Sequence, residues 1–244
     1  MRLIINGSSS SGNQYLLVSK DGILAIEAGI PLREVKKSLD FDISSIVGVL
    51  CSHEHGDHAK YAKEYTRAGI DVFTAQGTID ALGLSGHRVH VLPKCSVMIS
   101  GFKVLAFGIK HDAKEPLGFL IHHPESGNIL FLTDTWFSPF KFKGLNQVIV
   151  ECNYDQEILM DNLLTGKVHP SVVNRVQESH MELSILKDLL KANDLSQVNN
   201  IVLIHLSAQN SDAKRFQKEI TELTGKSVFV AEKGMEINFD KQPF

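Results

Sequence analysis

Apolar residues in this chain come in short runs broken by Gly, Pro, Asp, Asn and Ser, and the runs carry two different periods. Leu3 to Ile5, Gln14 to Val18, Ile23 to Glu27 and Ile46 to Cys51 are rich in aliphatic and β-branched residues, which predicts strands. Asp21-Gly22, between the second and third, is a hairpin signal because Gly accepts the backbone angles of a tight turn. From Pro31, Leu32, Val35 and Leu39 recur at helical spacing behind a Pro suited to a first turn, so a short amphipathic helix is expected. Asp71 to Ala75 reads as a strand, Gly77 to Leu84 as a helix, and Val89 to Leu92, Val97 to Ile99 and Lys103 to Phe107 as strands. Gly118 to His123 and Asn128 to Thr133 flank Pro124-Glu-Ser-Gly, a second hairpin, and Val148 to Glu151 reads as a buried strand. The last third predicts a helix from about Met181 to Ala192, a strand Ile201 to His205, a helix Asp212 to Leu223, and strands near Val228 and Glu236.

Strands and helices interleaved in this way predict sheets covered by helices, an α/β (α+β) sandwich. No Pro/Gly/Ser linker or charge block divides the 244 residues, so residues 1–244 read as one domain. An apolar fraction of 43% suffices for a sizeable core. Twenty-five Lys plus Arg against 28 Asp plus Glu give a net charge of -3, so no global basic field points to nucleic acid, although Lys110, Lys114, Lys141 and Lys143 can form a local patch. No segment approaches a membrane span, and no secretory signal opens the chain. Cys51, Cys95 and Cys152 are odd in number and widely spaced, which argues for a reducing, cytoplasmic setting, with Cys51 and Cys152 as buried small hydrophobes. Nothing in the composition implies a protein partner.

The densest chemistry lies at Ser52-His-Glu-His-Gly-Asp-His58, where His53, His55, Asp57 and His58 place four candidate metal donors in six residues. An apolar strand leads in and a helical pattern leads out. On the extended part His53 and His55 point to one side and suit one ion, while Asp57 and His58, past the bend, suit a second. Gly56 is expected to ease the bend between the pairs. Further donors are expected where later apolar strands emerge: His111 after Val104 to Lys110, Asp134 after Ile129 to Thr133, and His205 after Ile201 to Ile204.

The series His53-x-His55-x-Asp57-His58, His111, Asp134, His205 resembles the metallo-β-lactamase superfamily nearly end to end. Gly7-Ser-Ser, Lys110-His-Asp-Ala, Thr133-Asp134, Glu151-Cys-Asn-Tyr-Asp155 and His205-Leu-Ser-Ala-Gln-Asn look like its YycJ/WalJ branch, regarded as metal-dependent DNA exonucleases. The chain departs from that branch at Lys110, Cys152, Tyr154 and Ser179-His180-Met181, none of them a metal ligand. The resemblance implies an αββα four-layer sandwich and two divalent ions, Zn²⁺ or Mn²⁺. His53, His55 and His111 would hold one ion, Asp57, His58 and His205 the other, and Asp134 would bridge them, with Asp57 and His180 as catalytic residues. It implies a phosphodiesterase acting on DNA in an exonuclease-like manner, with hydroxide generated by the paired ions. A small-molecule hydrolase of the same fold, such as a cyclic-nucleotide phosphodiesterase, thioesterase or lactamase, is the alternative. An oxidoreductase of flavodiiron type would carry Glu where His55 stands.

In related enzymes a His at the position of His180 contacts the scissile phosphate or protonates the leaving oxygen, a role suited to the start of the helix expected from Met181. Glu151 either orients a ligand or His180, or caps a surface strand. Ser8 and Ser9 can cradle a phosphate or form a plain turn, and Ser207 and Asn210 can contact substrate or, with Ser211, cap the following helix. Trp136, Phe137 and Phe140 are expected in the core rather than stacked on a base. His87, His90, His122, His123 and His169 fit no ligand position.

Overall fold

A computed structural model of the protein describes residues 1–242. The first sheet contains β1 (Arg2–Gly7), β2 (Gln14–Ser19), β3 (Gly22–Ile26), β4 (Ile46–Leu50), β5 (Val72–Thr74) and β6 (Val89–Val91). The second contains β7 (Val97–Ile99), β8 (Phe102–Gly108), β9 (Leu117–His123), β10 (Gly127–Leu132), β11 (Leu145–Glu151), β12 (Asn200–Ile204) and β13 (Ser227–Val230). The last strand, β14 (Glu236–Asn238), returns to the first sheet beside β1, so each sheet has seven strands. Helices α1 (Leu32–Lys37), α2 (Gly56–Ala59), α3 (Ala62–Arg67) and α4 (Gln76–Leu82) belong to the first half; α5 (Gln156–Leu164), α6 (Pro170–Ser179), α7 (Leu183–Ala192) and α8 (Ala213–Thr224) belong to the second. The architecture is the expected αββα sandwich.

Alternation along the strands creates this layering, because successive side chains leave opposite faces of a sheet. Leu3 and Ile5 of β1 pack between the sheets with Ile129 and Phe131 of β10. Their neighbour Ile4 faces out toward Leu32, Val35 and Tyr65. Leu130 and Leu132 face the other way, toward Leu186, Leu189 and Phe216 of α7 and α8. Strands buried on both faces must be apolar at every position, which explains the continuous runs in the sequence.

Both sheets are mixed. Strands β3, β4, β5 and β6 run parallel, as do β10, β11, β12 and β13, with antiparallel hairpins at β2–β3 and β9–β10. In each sheet the parallel strands therefore end along one edge.

Two helices were not anticipated by pattern. The first, α5, begins behind an Asp155 cap whose carboxylate accepts from the Glu157 and Ile158 amides. The second, α6, is largely polar and holds three Val residues, a poor helical signature. Its start is marked by His169 as cap and Pro170 in the first turn. The helix expected from Met181 begins at Leu183 behind a Glu182 cap. No helix among the described residues is long and apolar enough to cross a membrane.

Phe131 is fully buried between the sheets, with Tyr15 and Phe119 rings 5.5 and 6.1 Å away. Phe131→Ala should lower unfolding free energy by about 3 to 5 kcal/mol in urea titrations, since the cavity it leaves is walled by rigid strands. A loss under about 1 kcal/mol would contradict this packing.

Candidate metal centre

Six polar residues follow the ends of strands that all emerge on one edge: Glu27 after β3, His53 after β4, His111 after β8, Asp134 after β10, Glu151 closing β11 and His205 after β12. Ligand sites in open α/β sheets form at such carboxyl ends, where side chains from several strands converge. Three of these residues, Glu27, Asp134 and His205, have φ of 67°, 43° and 55°. A non-glycine residue in that region carries about 1 to 3 kcal/mol of strain, here supported by the sheets on either side. The bend at 53–58 carries none of it. Gly56 opens α2 without positive φ, and an added Cβ would meet nothing within 4 Å, so the expected need for Gly there is not borne out. Gly29 is the constrained glycine, since its Cβ would lie 1.7 Å from the Asp57 carbonyl oxygen.

The seven predicted donors lie together. His53, His55, His111 and Asp134 form one group and Asp57, His58, Asp134 and His205 another, the donor atoms of each lying within 4.8 Å of one another, and Asp134 and His205 also meet Glu151 and His180 in a third group that meets the same limit. Asp134 belongs to all of them. Its Oδ2 lies 3.1 Å from His58 Nε2, 3.5 Å from His111 Nε2 and 3.6 Å from His53 Nε2, and its Oδ1 lies 3.4 Å from His205 Nδ1. Asp57 Oδ2 is 3.3 Å from His58 Nε2 and 3.1 Å from His205 Nε2.

Outer partners turn the rings. His53 Nδ1 sits 2.8 Å from Ser52 Oγ, His58 Nδ1 3.3 Å from Glu27 Oε1, His111 Nδ1 3.0 Å from the Ser179 carbonyl, and His205 Nδ1 3.2 Å from Glu151 Oε1. Each leaves Nε2 for the interior, the arrangement that fixes metal-ligating imidazoles. His55 is the exception, offering Nδ1, which is 3.1 Å from His111 Nε2. His53 Nε2 is buried with no hydrogen-bond partner, as a nitrogen meant for an ion would be. Neutral imidazoles and carboxylates in two groups sharing one Asp fit a pair of divalent cations.

Sequence reasoning overlooked several members of this shell. Glu27 is fully buried and also accepts from the Ser52 amide. Asn13 donates Nδ2 toward the Asp57 carboxylate at 3.3 Å, and Asn153 donates Nδ2 to the His205 carbonyl at 2.7 Å. The available signal for Glu27 was an acid at the end of an apolar strand, the same signal that exposed Asp134; for the two Asn residues there was none. Glu151, left open between two roles, lies in the interior: Oε1 is 2.6 Å from His180 Nδ1, and Oε2 accepts from the Thr135 and Met181 amides.

His180 differs from expectation. It is not in the first turn of a helix but follows α6 as its C-terminal cap, in extended conformation. Its ring stacks on His205 at 5.4 Å and lines a cavity of about 390 Å³ with His205, Ser207 and Asn210. Ser8 Oγ accepts from the His205 amide and from Tyr15 Oη, both at 2.9 Å, so the Ser8 turn braces the centre. Ser9 caps its own turn, accepting from the Ser11 amide. Asn210 Oδ1 accepts from Asn162 Nδ2, Ser211 Oγ donates to the Ser207 carbonyl, and the cap of α8 is Asp212 rather than either of them. Trp136, Phe137 and Phe140 are exposed, which overturns their expected place in the core. His123 is buried against Asp21 and His169 caps α6.

Charge in the cluster is shared between acids and imidazoles. Burial pushes the His205 imidazole down, but Asp134, Asp57 and Glu151 outweigh it and raise its pKa from 6.5 to about 10. For His58 the same contest between burial and the carboxylates of Asp134 and Glu27 ends well above the ordinary value. His53 and His111 move down, chiefly through burial. Burial favours the neutral form of Asp57, yet hydrogen bonds from His205 and His58 hold its carboxyl far below the ordinary range. The surrounding carboxylates thus favour protons on His58 and His205 in the absence of metal, and ligation must expel them. Divalent ion binding should release protons and tighten as pH rises from 6 to 8; calorimetry in buffers of different ionisation enthalpy measures both. Binding that is pH-independent with no proton release would contradict this picture.

No protein-family model matches the chain. Among curated proteins it is 24% identical over 251 residues to the exodeoxyribonuclease YycJ of Bacillus anthracis, covering 95% of this chain and 92% of that one. Among solved structures it is similar to the metallo-β-lactamase fold protein YhfI of Bacillus subtilis, with a TM-score of 0.72, 14% identity and coverage of 97% and 98%. The Zn²⁺-bound PqqB of Methylobacterium extorquens superposes with a TM-score of 0.70 at 11% identity, covering 98% of this chain and 100% of that one. The chain thus has the metallo-β-lactamase fold and resembles, nearly end to end, the YycJ branch of that superfamily.

Proposed function

We propose that this protein is a metal-dependent hydrolase that cleaves phosphodiester bonds in DNA, in the exonuclease-like manner named for its YycJ relative, with residues 1–244 acting as one cytoplasmic domain. The observation that carries the reading is the pair of donor groups sharing Asp134. His53, His55 and His111 would hold one divalent ion, Asp57, His58 and His205 the second, and Asp134 both, with Zn²⁺ or Mn²⁺ suited to such donors. Bound there, the ions supply Lewis acidity that activates water and takes up charge on an attacked phosphate.

The chain's own residues supply the rest. Glu151 accepts from His180 Nδ1 and thereby directs Nε2 toward the shared cavity, where it can deliver a proton to a departing oxygen. Burial lowers the His180 pKa, but the Glu151 carboxylate more than compensates and raises it, favouring the protonated ring that an acid needs. Asp57 anchors His58 and His205 while Asn13 anchors Asp57, so these side chains need little reorganisation when substrate enters. Ser207 and Asn210 line this cavity and Ser8 touches His205; with Ser9, whose neighbour Ser10 lines the cavity, they are the candidates for holding phosphate oxygens.

Two substitutions separate the roles. Asp134→Ala should abolish hydrolysis and lower metal content by elemental analysis, whereas His180→Ala should retain both metals and lose about a hundredfold or more in kcat. Wild-type rates from metal-free Asp134→Ala protein would refute the metal-dependent reading. A substrate panel of 5′-phosphorylated duplex DNA, single strands and cyclic nucleotides should show turnover of DNA; turnover of cyclic nucleotides alone would favour a small-molecule hydrolase.

A further inference from the structure

We propose that the loop from Thr135 to Lys143 is a stacking track that holds a single strand of DNA as it leaves the metal centre, an inference that rests on the phosphodiesterase reading. Trp136, Phe137 and Phe140 on this loop are 43%, 42% and 44% exposed. Aromatic rings grouped on one surface loop mark an interaction site more than scattered single ones do. Trp136 and Phe137 lie with ring centroids 5.7 Å apart and planes inclined by 31°, and Phe140 stands edge-on against Phe107 at 5.4 Å.

The rings are held in place. The Thr135 amide donates to Glu151 Oε2 at 3.1 Å, Thr135 Oγ1 donates to the Phe137 carbonyl at 2.9 Å and accepts from the Lys110 amide at 3.2 Å, and the Phe142 amide donates to Asn193 Oδ1 at 2.6 Å. A platform fixed at both ends loses little entropy when a ligand lands on it.

Two cavities connect this platform to the chemistry. Trp136 shares one of about 580 Å³ with the proposed ligand His111, the cations Lys110 and Arg175 and the acids Asp112 and Glu178, Arg175 lying 4.0 Å from Asp112. Phe137 and Phe140 share the next, of about 290 Å³, with Ser138, Lys141 and Ile185. Asp188, the acid in this groove, lies 3.6 Å from Lys191 Nζ. Exposed Lys110, Lys141 and Lys143 flank the aromatic row. Flat rings on a loop bordered by exposed lysines, beginning beside the proposed metal ligands, suit the alternating base and phosphate of an unpaired strand. A duplex keeps its base faces covered and offers them nothing.

Trp136 is the only tryptophan beside 4 tyrosines, so selectively excited tryptophan emission reports on this surface alone. In EDTA, where no turnover occurs, titration with a short thymidine oligonucleotide should quench this emission, while an abasic strand of equal length and a blunt duplex should quench it far less. Phe137→Ala and Phe140→Ala, both at exposed positions, should each weaken binding of the labelled thymidine strand by about tenfold in anisotropy titrations. No quenching by the thymidine strand, or equal quenching by the abasic one, would overturn the track without needing any variant to fold. Quenching by an oligonucleotide that the Mn²⁺- or Zn²⁺-loaded protein does not cleave supports the track and sinks the phosphodiesterase reading. Cleavage without quenching does the reverse.

Discussion

The carboxylate of Asp134 is the constraint around which this molecule is organised. It is buried, it follows β10 in a left-handed backbone conformation, and it lies within 3.6 Å of His53, His58, His111 and His205. An uncompensated carboxylate in that position would be costly, so the surrounding imidazoles must either hold protons or share ions with it. Both solutions require donors from both sheets, because His53 and His58 follow β4 whereas His111 and His205 follow strands of the second sheet. The common edge where the parallel strands terminate provides that meeting point.

Beside Asp134 a second carboxylate links parts that sequence distance keeps apart. Glu151 reaches His180 and His205 with one oxygen and the Thr135 and Met181 amides with the other. The imidazole proposed as acid, a proposed ligand and the loop that leaves Asp134 thus share one buried support. Glu27 does the same for His58 and Ser52 on the opposite side. The paired supports explain how three strained strand ends persist without a glycine among them.

Much of this was legible in the amino-acid order because two signals are strong. Continuous apolar runs mark strands covered on both faces, and a His or Asp where such a run stops marks the exposed edge. Helices α5 and α6 escaped because α6 carries few core-facing residues and several Val, and it packs mainly on a small satellite cluster around Tyr154, Leu159, Val168 and Val173. With α6 unseen, His180 was assigned to the wrong helix end. The aromatic residues after Asp134 were misplaced for a related reason: hydrophobic character tells that a side chain gains from being covered, but not whether the protein or a ligand covers it. Asn13 and Asn153 act through contacts spanning 44 and 52 residues, which no local pattern encodes.

The straddling of two sheets by a single cluster of donors gives the interior an unusual responsibility. Side chains such as Phe119 and Phe131 lie in the middle of the sandwich, yet their bulk sets the gap between the layers. Altering that gap would shift one set of imidazoles against the other. Drift in the oily filling is therefore not neutral bystander change here: repacking the middle of the sandwich is a route to changing the distances between the donors that meet at the rim.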